Sequence, residues 1–197
     1  MKRKYIMQYR RRKEGKTNYH RRKKVILGHL PFAVTRITDK NILIQLVKAE
    51  LKGDIVVGSV HSRQLRKFGW PFSCKSIPAC YLSGLILGCK AKNLVNSEVL
   101  VYKDVKPFIK GSRISAAING MIDGGLKVKA NPESFPNEKR VKGDHIVQYA
   151  KSIKVSDLDA YNKRFSNYVR EGLDVEKMPE IFEKVKGLII EKGGVLG

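Results

Sequence analysis

From Phe32 onward the apolar positions alternate with polar ones in the manner of strands. Phe32, Val34 and Ile37 precede the polar turn Thr38-Asp39-Lys40-Asn41; Ile42, Ile44 and Leu46 then alternate with Leu43, Gln45 and Val47; Gly53-Asp54 introduces a third run, from Ile55 to Val60. β-Rich runs separated by tight polar turns predict an antiparallel meander. Ser62 reads as the cap of a short helix through Lys67, broken by Lys67-Phe68-Gly69-Trp70-Pro71. Ser76, with Pro78 close behind, opens a helix running to about Asn93. Gly84 and Gly88 share one face of that helix, which predicts a helix lying close on the sheet rather than the helix pairing this spacing signals in membranes.

Residues 98–103, with Val99, Val101 and Lys103 on one face, predict a fourth strand; Ser112 or Ser115 starts a helix that passes Met121 and stops at Gly124-Gly125. Three strands, helix, strand, helix define an α/β fold, a small antiparallel-rich sheet with its helices on one face. Residues 131–143, containing Pro132 and Pro136, read as a polar loop leading to a helical tail. There Asp144 caps residues 145–152, Asp157 caps 158–170, and Asp174 or Val175 leads a last helix through Lys186. Tyr161, Phe165 and Tyr168 stand three and four residues apart and form an apolar stripe suited to dock on the body or on a partner.

Upstream of this pattern the chain is of another kind. Residues 9–24, YRRRKEGKTNYHRRKK, hold nine Lys and Arg, and residues 1–24 hold twelve against the single acid Glu14, half of the formal net charge of +22. Such a segment cannot bury enough apolar surface to offset its ordering entropy, so it is expected to be disordered or extended until a polyanion neutralises it. Residues 25–150 are also basic, with 19 cations to 9 acids, whereas residues 151–197 are nearly balanced, with 9 to 8. The expected division is an arm (1–30), an α/β body (31–130) and a loop with helical extension (131–197). A pI near 10.0 is the electrostatic footprint of a nucleic-acid binder.

Cys74, Cys80 and Cys89 are odd in number, lack zinc spacing and read as structural residues of a reducing compartment. The apolar run from Ile77 to Cys89 is too short to span a bilayer, and charge follows Met1, so a soluble cytoplasmic protein is expected. Gly15-Lys16-Thr17 imitates the end of a phosphate loop but lacks its upstream glycine and buried strand. His20, His29, His61 and His145 are scattered; His145 beside Asp144 reads as a packed or phosphate-facing residue at a helix start, and Asp123 as a helix end. No cofactor, metal or small-molecule substrate is implied. The sequence offers binding, with an RNA-processing or RNA-modifying enzyme bearing a basic arm, and a nonspecific packaging protein, as rivals.

The arm suits RNA. Its six arginines bring planar forks that match phosphate, and Tyr9 and Tyr19 supply rings for unpaired bases, while no helix-turn-helix, basic zipper or zinc finger argues for DNA. On the body, Arg36, Arg63, Arg66, Lys67, Lys75 and Ser76 are candidates to widen the contact, the last two at a helix N-terminus.

Three strings carry a resemblance: YRRRKEGKTNYHRRKK, NGMIDGGLKV at residues 119–128, and FPNEKRVKGDHIVQYAKS at residues 135–152. In register over nearly the whole chain, they resemble large-subunit ribosomal protein L eighteen of archaeal type, whose eukaryotic counterpart is numbered L five; LDAYNKRFSNYVREG at 158–172 resembles that longer form's tail. The resemblance implies a protein of the cytoplasmic ribosome that binds 5S rRNA, helps attach it in the central protuberance, touches 23S rRNA and works beside ribosomal protein L five in bacterial numbering. Carried over by position, Tyr9, Arg10, Arg11, Arg12, Gly15, Lys16, Thr17, Asn18, Tyr19, Arg21 and Arg22 fall in the RNA-gripping arm, and Lys13, Lys23 and Lys24 complete its charge. The tail after residue 150 favours the archaeal or eukaryotic branch, and the chain's length the archaeal one. Trp70 departs from the expected pattern and reads either as a base-stacking ring or as filling in the body.

Overall fold

The computed structural model describes residues 6–50, 53–102 and 108–194. Its centre is a four-stranded sheet in the order β3-β2-β1-β4, formed by β1 (Phe32–Ile37), β2 (Ile42–Glu50), β3 (Gly53–His61) and β4 (Leu100–Tyr102). The meander is antiparallel, with Phe32 opposite Val47 and Ile44 opposite Val60, as the alternation predicts. The fourth strand pairs parallel to β1, Phe32 opposite Leu100. It is shorter than expected at its start: Val99 instead bridges Val128, and Lys103 lies outside the described residues.

The arm is not an extended strand. It carries α1 (Arg10–Lys13) and α2 (Tyr19–Leu27), neither with a buried residue. Arg and Lys are good helix formers, and Asn18 caps α2 by accepting the Arg21 backbone N–H at 3.1 Å, so local signals suffice for short helices. Gly15, at φ +63°, turns the chain between them. The second helix also leans on the sheet, where Val25 packs against a small cluster of Phe32, Val47 and Tyr102. The face opposite the main helices is therefore partly covered by the arm itself.

On the main face lies α3 (Ile77–Ala91), capped by Ser76 as expected and crossing β2 and β3. It is buried all round, because the sheet covers one side and other helices cover the rest. Leu82, Leu85 and Ile86 are almost completely enclosed with Ile44, Leu46 and Val60, and each contributes about 1.5–3 kcal/mol. Its partner is α4 (Arg113–Asp123), capped by Ser112. The expectation that Gly84 and Gly88 let α3 approach the sheet is corrected: they face α4. A β carbon on Gly84 would meet the Ala117 carbonyl oxygen at 2.0 Å, and one on Gly120 the Tyr81 oxygen at 2.1 Å. Small residues on both helices let the two backbones touch, the geometry assigned above to membranes.

The stretch 131–143 is not a plain loop, since a 3-10 turn (Pro132–Ser134) and α5 (Glu138–Lys142) occupy much of it. Gly143, not Asp144, stands at the cap of α6 (Asp144–Ser156); Asp144 sits in the first turn, where its carboxylate complements the positive end of the helix dipole. Asp157 does cap, its carboxylate accepting the Asp159 and Ala160 N–H groups at 2.9 and 3.0 Å. The helix it starts, α7 (Leu158–Arg164), breaks at Phe165 and resumes as α8 (Ser166–Arg170). The break lets the aromatic stripe turn into the body: Phe165 is buried, and Tyr168 meets Phe72 edge-on at 5.6 Å. Asp174 caps a 3-10 turn (Val175–Lys177) before α9 (Met178–Glu191), which outruns its expected end and buries Phe182, Val185 and Ile189 beside α3.

Candidate nucleic-acid interface

Within the arm, the Tyr9 and Tyr19 rings lie 5.2 Å apart at 45° and bring the ends of the basic string together. Glu14, its one acid, pairs with Arg10 at 3.2 Å and Lys16 at 2.7 Å. The Arg11 guanidinium donates to the Thr17 hydroxyl at 2.9 Å. Arg22 forms an ion pair with Asp54 on β3 and lies over the Phe32 ring, 5.5 Å from its centre. These contacts divide the expected contact residues by role. Gly15, Thr17 and Asn18 shape the arm; Arg22 fastens it to the body; Arg12, Lys13, Lys23 and Lys24 point to solvent without an ion pair among the described residues. Tyr9 is 72% exposed, so its ring is accessible to a base.

Of the body candidates, Arg36 joins the arm: with Gly15, Lys16, Arg22 and Gln45 it lines a hollow over the open sheet face. Arg63 and Arg66 stand elsewhere, on the 3-10 helix Ser62–Phe68, together with exposed Lys67. The cap of that helix is His61, accepting the Arg63 N–H at 3.2 Å, while Ser62 turns inward to accept the Ile42 N–H. Lys75 faces a third hollow with Arg113, a residue the sequence reading missed although it directly follows the Ser112 cap. The Ser76 hydroxyl is engaged twice within the protein, donating to the Ser73 carbonyl at 3.0 Å and accepting the Ala79 N–H.

The remaining reactive groups have structural partners or surroundings. Asp123 accepts the Tyr81 hydroxyl at 2.5 Å, and burial, reinforced by that carboxylate, pushes the tyrosine's pKa upward. Cys74 and Cys80 are buried, Cys89 is half-buried and all three are free; burial raises the Cys80 thiol pKa. His145 Nδ1 is buried without a partner, and desolvation holds the ring's pKa below its ordinary value. Trp70, 1% exposed, meets Phe72 edge-on at 5.3 Å and donates to the Ser73 carbonyl, so it fills the body and is not a stacking platform. Among the described residues, no helix is long and apolar enough to cross a membrane.

Fold and surface together define a class, a basic α/β protein with a shaped cationic arm whose outward charge suits a polyanion. The family described as "Ribosomal large subunit proteins 60S L5, and 50S L18" matches residues 3–108. The chain is also 40% identical to "Large ribosomal subunit protein uL18" of Thermofilum pendens over 187 residues, 95% of either chain. The chain belongs to this family of large-subunit ribosomal proteins. It is a structural component of the ribosome, of archaeal type, and not an enzyme, with ribosomal RNA and ribosomal proteins for partners.

Proposed function

We propose that this protein binds 5S rRNA through its arm, helps attach that RNA to the large subunit in the central protuberance, and also touches 23S rRNA beside the second 5S-binding protein, L five in bacterial numbering. The observation that carries this reading is the arm's layout: cations and Tyr9 turn outward, while Val25 and Arg22 hold its inner side on the sheet. A ligand meeting this surface gains phosphate contacts from the arginine forks and lysines, with release of its counterions. It meets a ring at the arm's tip, where an unpaired base can stack. Part of the arm's ordering cost is borne in the free protein, which favours affinity. Arg36 extends the same surface onto the sheet.

Chemical footprinting of the full chain on total ribosomal RNA tests the reading. Protection concentrated on 5S RNA, and weakened when Arg12, Lys13, Lys23 and Lys24 become glutamine, is the expected result. Protection of 23S RNA with none on 5S would overturn it.

A further inference from the structure

The link between arm and sheet is short. The second arm helix ends at Leu27, and the Leu100 N–H donates to the Pro31 carbonyl at 2.9 Å, fixing Pro31 just before β1 begins at Phe32. Gly28, His29 and Leu30 therefore set the angle at which the arm leaves the body. Gly28 continues the helical conformation, at φ −74°, and a residue before proline is held extended, which leaves the turn to His29. His29 stands at φ +50°, alone at positive φ among the described non-glycine residues. Its N–H donates to the Ile26 carbonyl at 3.1 Å, closing the helix at a place where glycine is usual. Histidine is among the few side chains that accept positive φ; a β-branched one does not.

So aimed, α2 rests on the sheet through few groups, and none of its residues is fully buried. Val25 packs against Phe32, Val47 and Tyr102; one turn earlier Arg22 pairs with Asp54 and lies over the Phe32 ring. The Arg22 and Asp54 side chains are 24% and 34% exposed, so water screens their pair less than it screens the outer pair of Lys48 with Glu50. Under the seated arm lies a hollow of about 400 Å³, with Lys16 on the arm side and Arg36 and Gln45 on the sheet side. The relative placement of those cations thus depends on one ion pair, one valine and one turn residue. A seat with so few buried apolar contacts opens readily, and single residues decide how often.

We infer that Asp54 and His29 are positioning residues: without touching a ligand themselves, they hold the arm's cations in register with Arg36 on the sheet. The inference rests on the proposed binding of 5S RNA by the arm, and its test keeps the two apart. It carries a sign that charge alone would reverse. Asp54 is an acid on a cationic surface, so simple electrostatics has its removal tighten the binding of a polyanion. As the anchor of the arm's seat, its removal instead weakens binding, because the competent arrangement becomes a smaller fraction of the free chain.

Amide exchange of the full chain, free of RNA, reads the seat. Exchange across α2 is expected to rise about fivefold or more in Asp54→Asn and in His29→Val, while α3 and α4 keep their protection. The charge swap Arg22→Asp with Asp54→Arg should recover protection that Asp54→Arg alone loses, and His29→Asn, which tolerates positive φ, should match the unmodified chain. Filter binding of 5S RNA over a salt series reads the consequence. Asp54→Asn and His29→Val are expected to bind about three- to tenfold more weakly with an unchanged salt slope, since no cation is removed, whereas Glu50→Gln, an acid lost from the same hairpin, should bind as well or slightly tighter. Unchanged α2 exchange in both variants would overturn the inference, and so would 5S binding by Asp54→Asn that equals or exceeds that of the unmodified chain. Failure of the unmodified chain to bind 5S RNA would instead strike at the arm's proposed role, and the exchange series would still read whether Asp54 and His29 seat the arm.

Discussion

Gly84 on α3 and Ala117 on α4 lie so close that a single added methyl group would sit 2.0 Å from the Ala117 carbonyl oxygen. The obstacle is backbone in the middle of a helix, which cannot swing aside as a side chain tip would. Gly84→Ala is therefore expected to lower stability by about 1–3 kcal/mol or more, through forced separation of the helices, despite alanine's better helix propensity. Chemical denaturation reads the shift in midpoint. Gly187→Ala, at a half-buried position of α9 with open space at its Cβ, should stabilise slightly and serves as the control.

The tail is tied to the body at one specific hydroxyl. Tyr168→Phe removes the acceptor of the Ser73 N–H while keeping the ring against Phe72. The expected cost is about 1 kcal/mol, and amide exchange at Ser73 should accelerate. Unchanged exchange would mean that the hydroxyl does not hold the junction.

Arm charge and arm aromatics should separate in binding measurements. Replacing Arg12 and Lys13 by glutamine is expected to reduce the salt slope of 5S RNA binding by about 0.7–0.9 for each phosphate that those side chains neutralise. Tyr19→Ala should cost about 1–3 kcal/mol if the ring stacks on a base, with little change in slope. Filter binding over a salt series distinguishes the two effects, and a Tyr19→Ala effect near zero would leave that ring only its contact with Tyr9.

His145 gives stability a pH dependence. Its folded pKa is depressed below the ordinary 6.5, chiefly by desolvation and then by Arg140, so the unfolded chain binds more protons in the window between the two values. Stability is full above about pH 6.5 and falls as the pH drops toward the folded pKa. His145→Gln is expected to flatten that part of the profile, as read by thermal melts between pH 5 and 8.

The meander was legible because strand alternation and turn residues are local signals, and so were the caps at Ser76 and Asp157. Gly84 and Gly88 mark a close-packing face in the sequence, but a helical period identifies a face without naming its neighbour, and the neighbour is α4, not the sheet. The parallel seating of β4 on β1 depends on a distant pairing that no short window contains. In the arm, charge masks an ordinary helix signal, Asn18 followed by good helix formers. Arg164 went unnoticed for another reason: it is an unremarkable tail arginine until the break at Phe165 brings it opposite Arg63 and Arg66.

The enclosure of Trp70 makes the protein its own spectroscopic gauge. The chain has a single tryptophan, and it touches Phe72, which in turn touches Tyr168 of the tail. Its emission therefore reports on one seam of the molecule, blue while the tail is seated and red-shifted once water reaches the indole, whereas movement of the arm on the far side of the sheet leaves it silent.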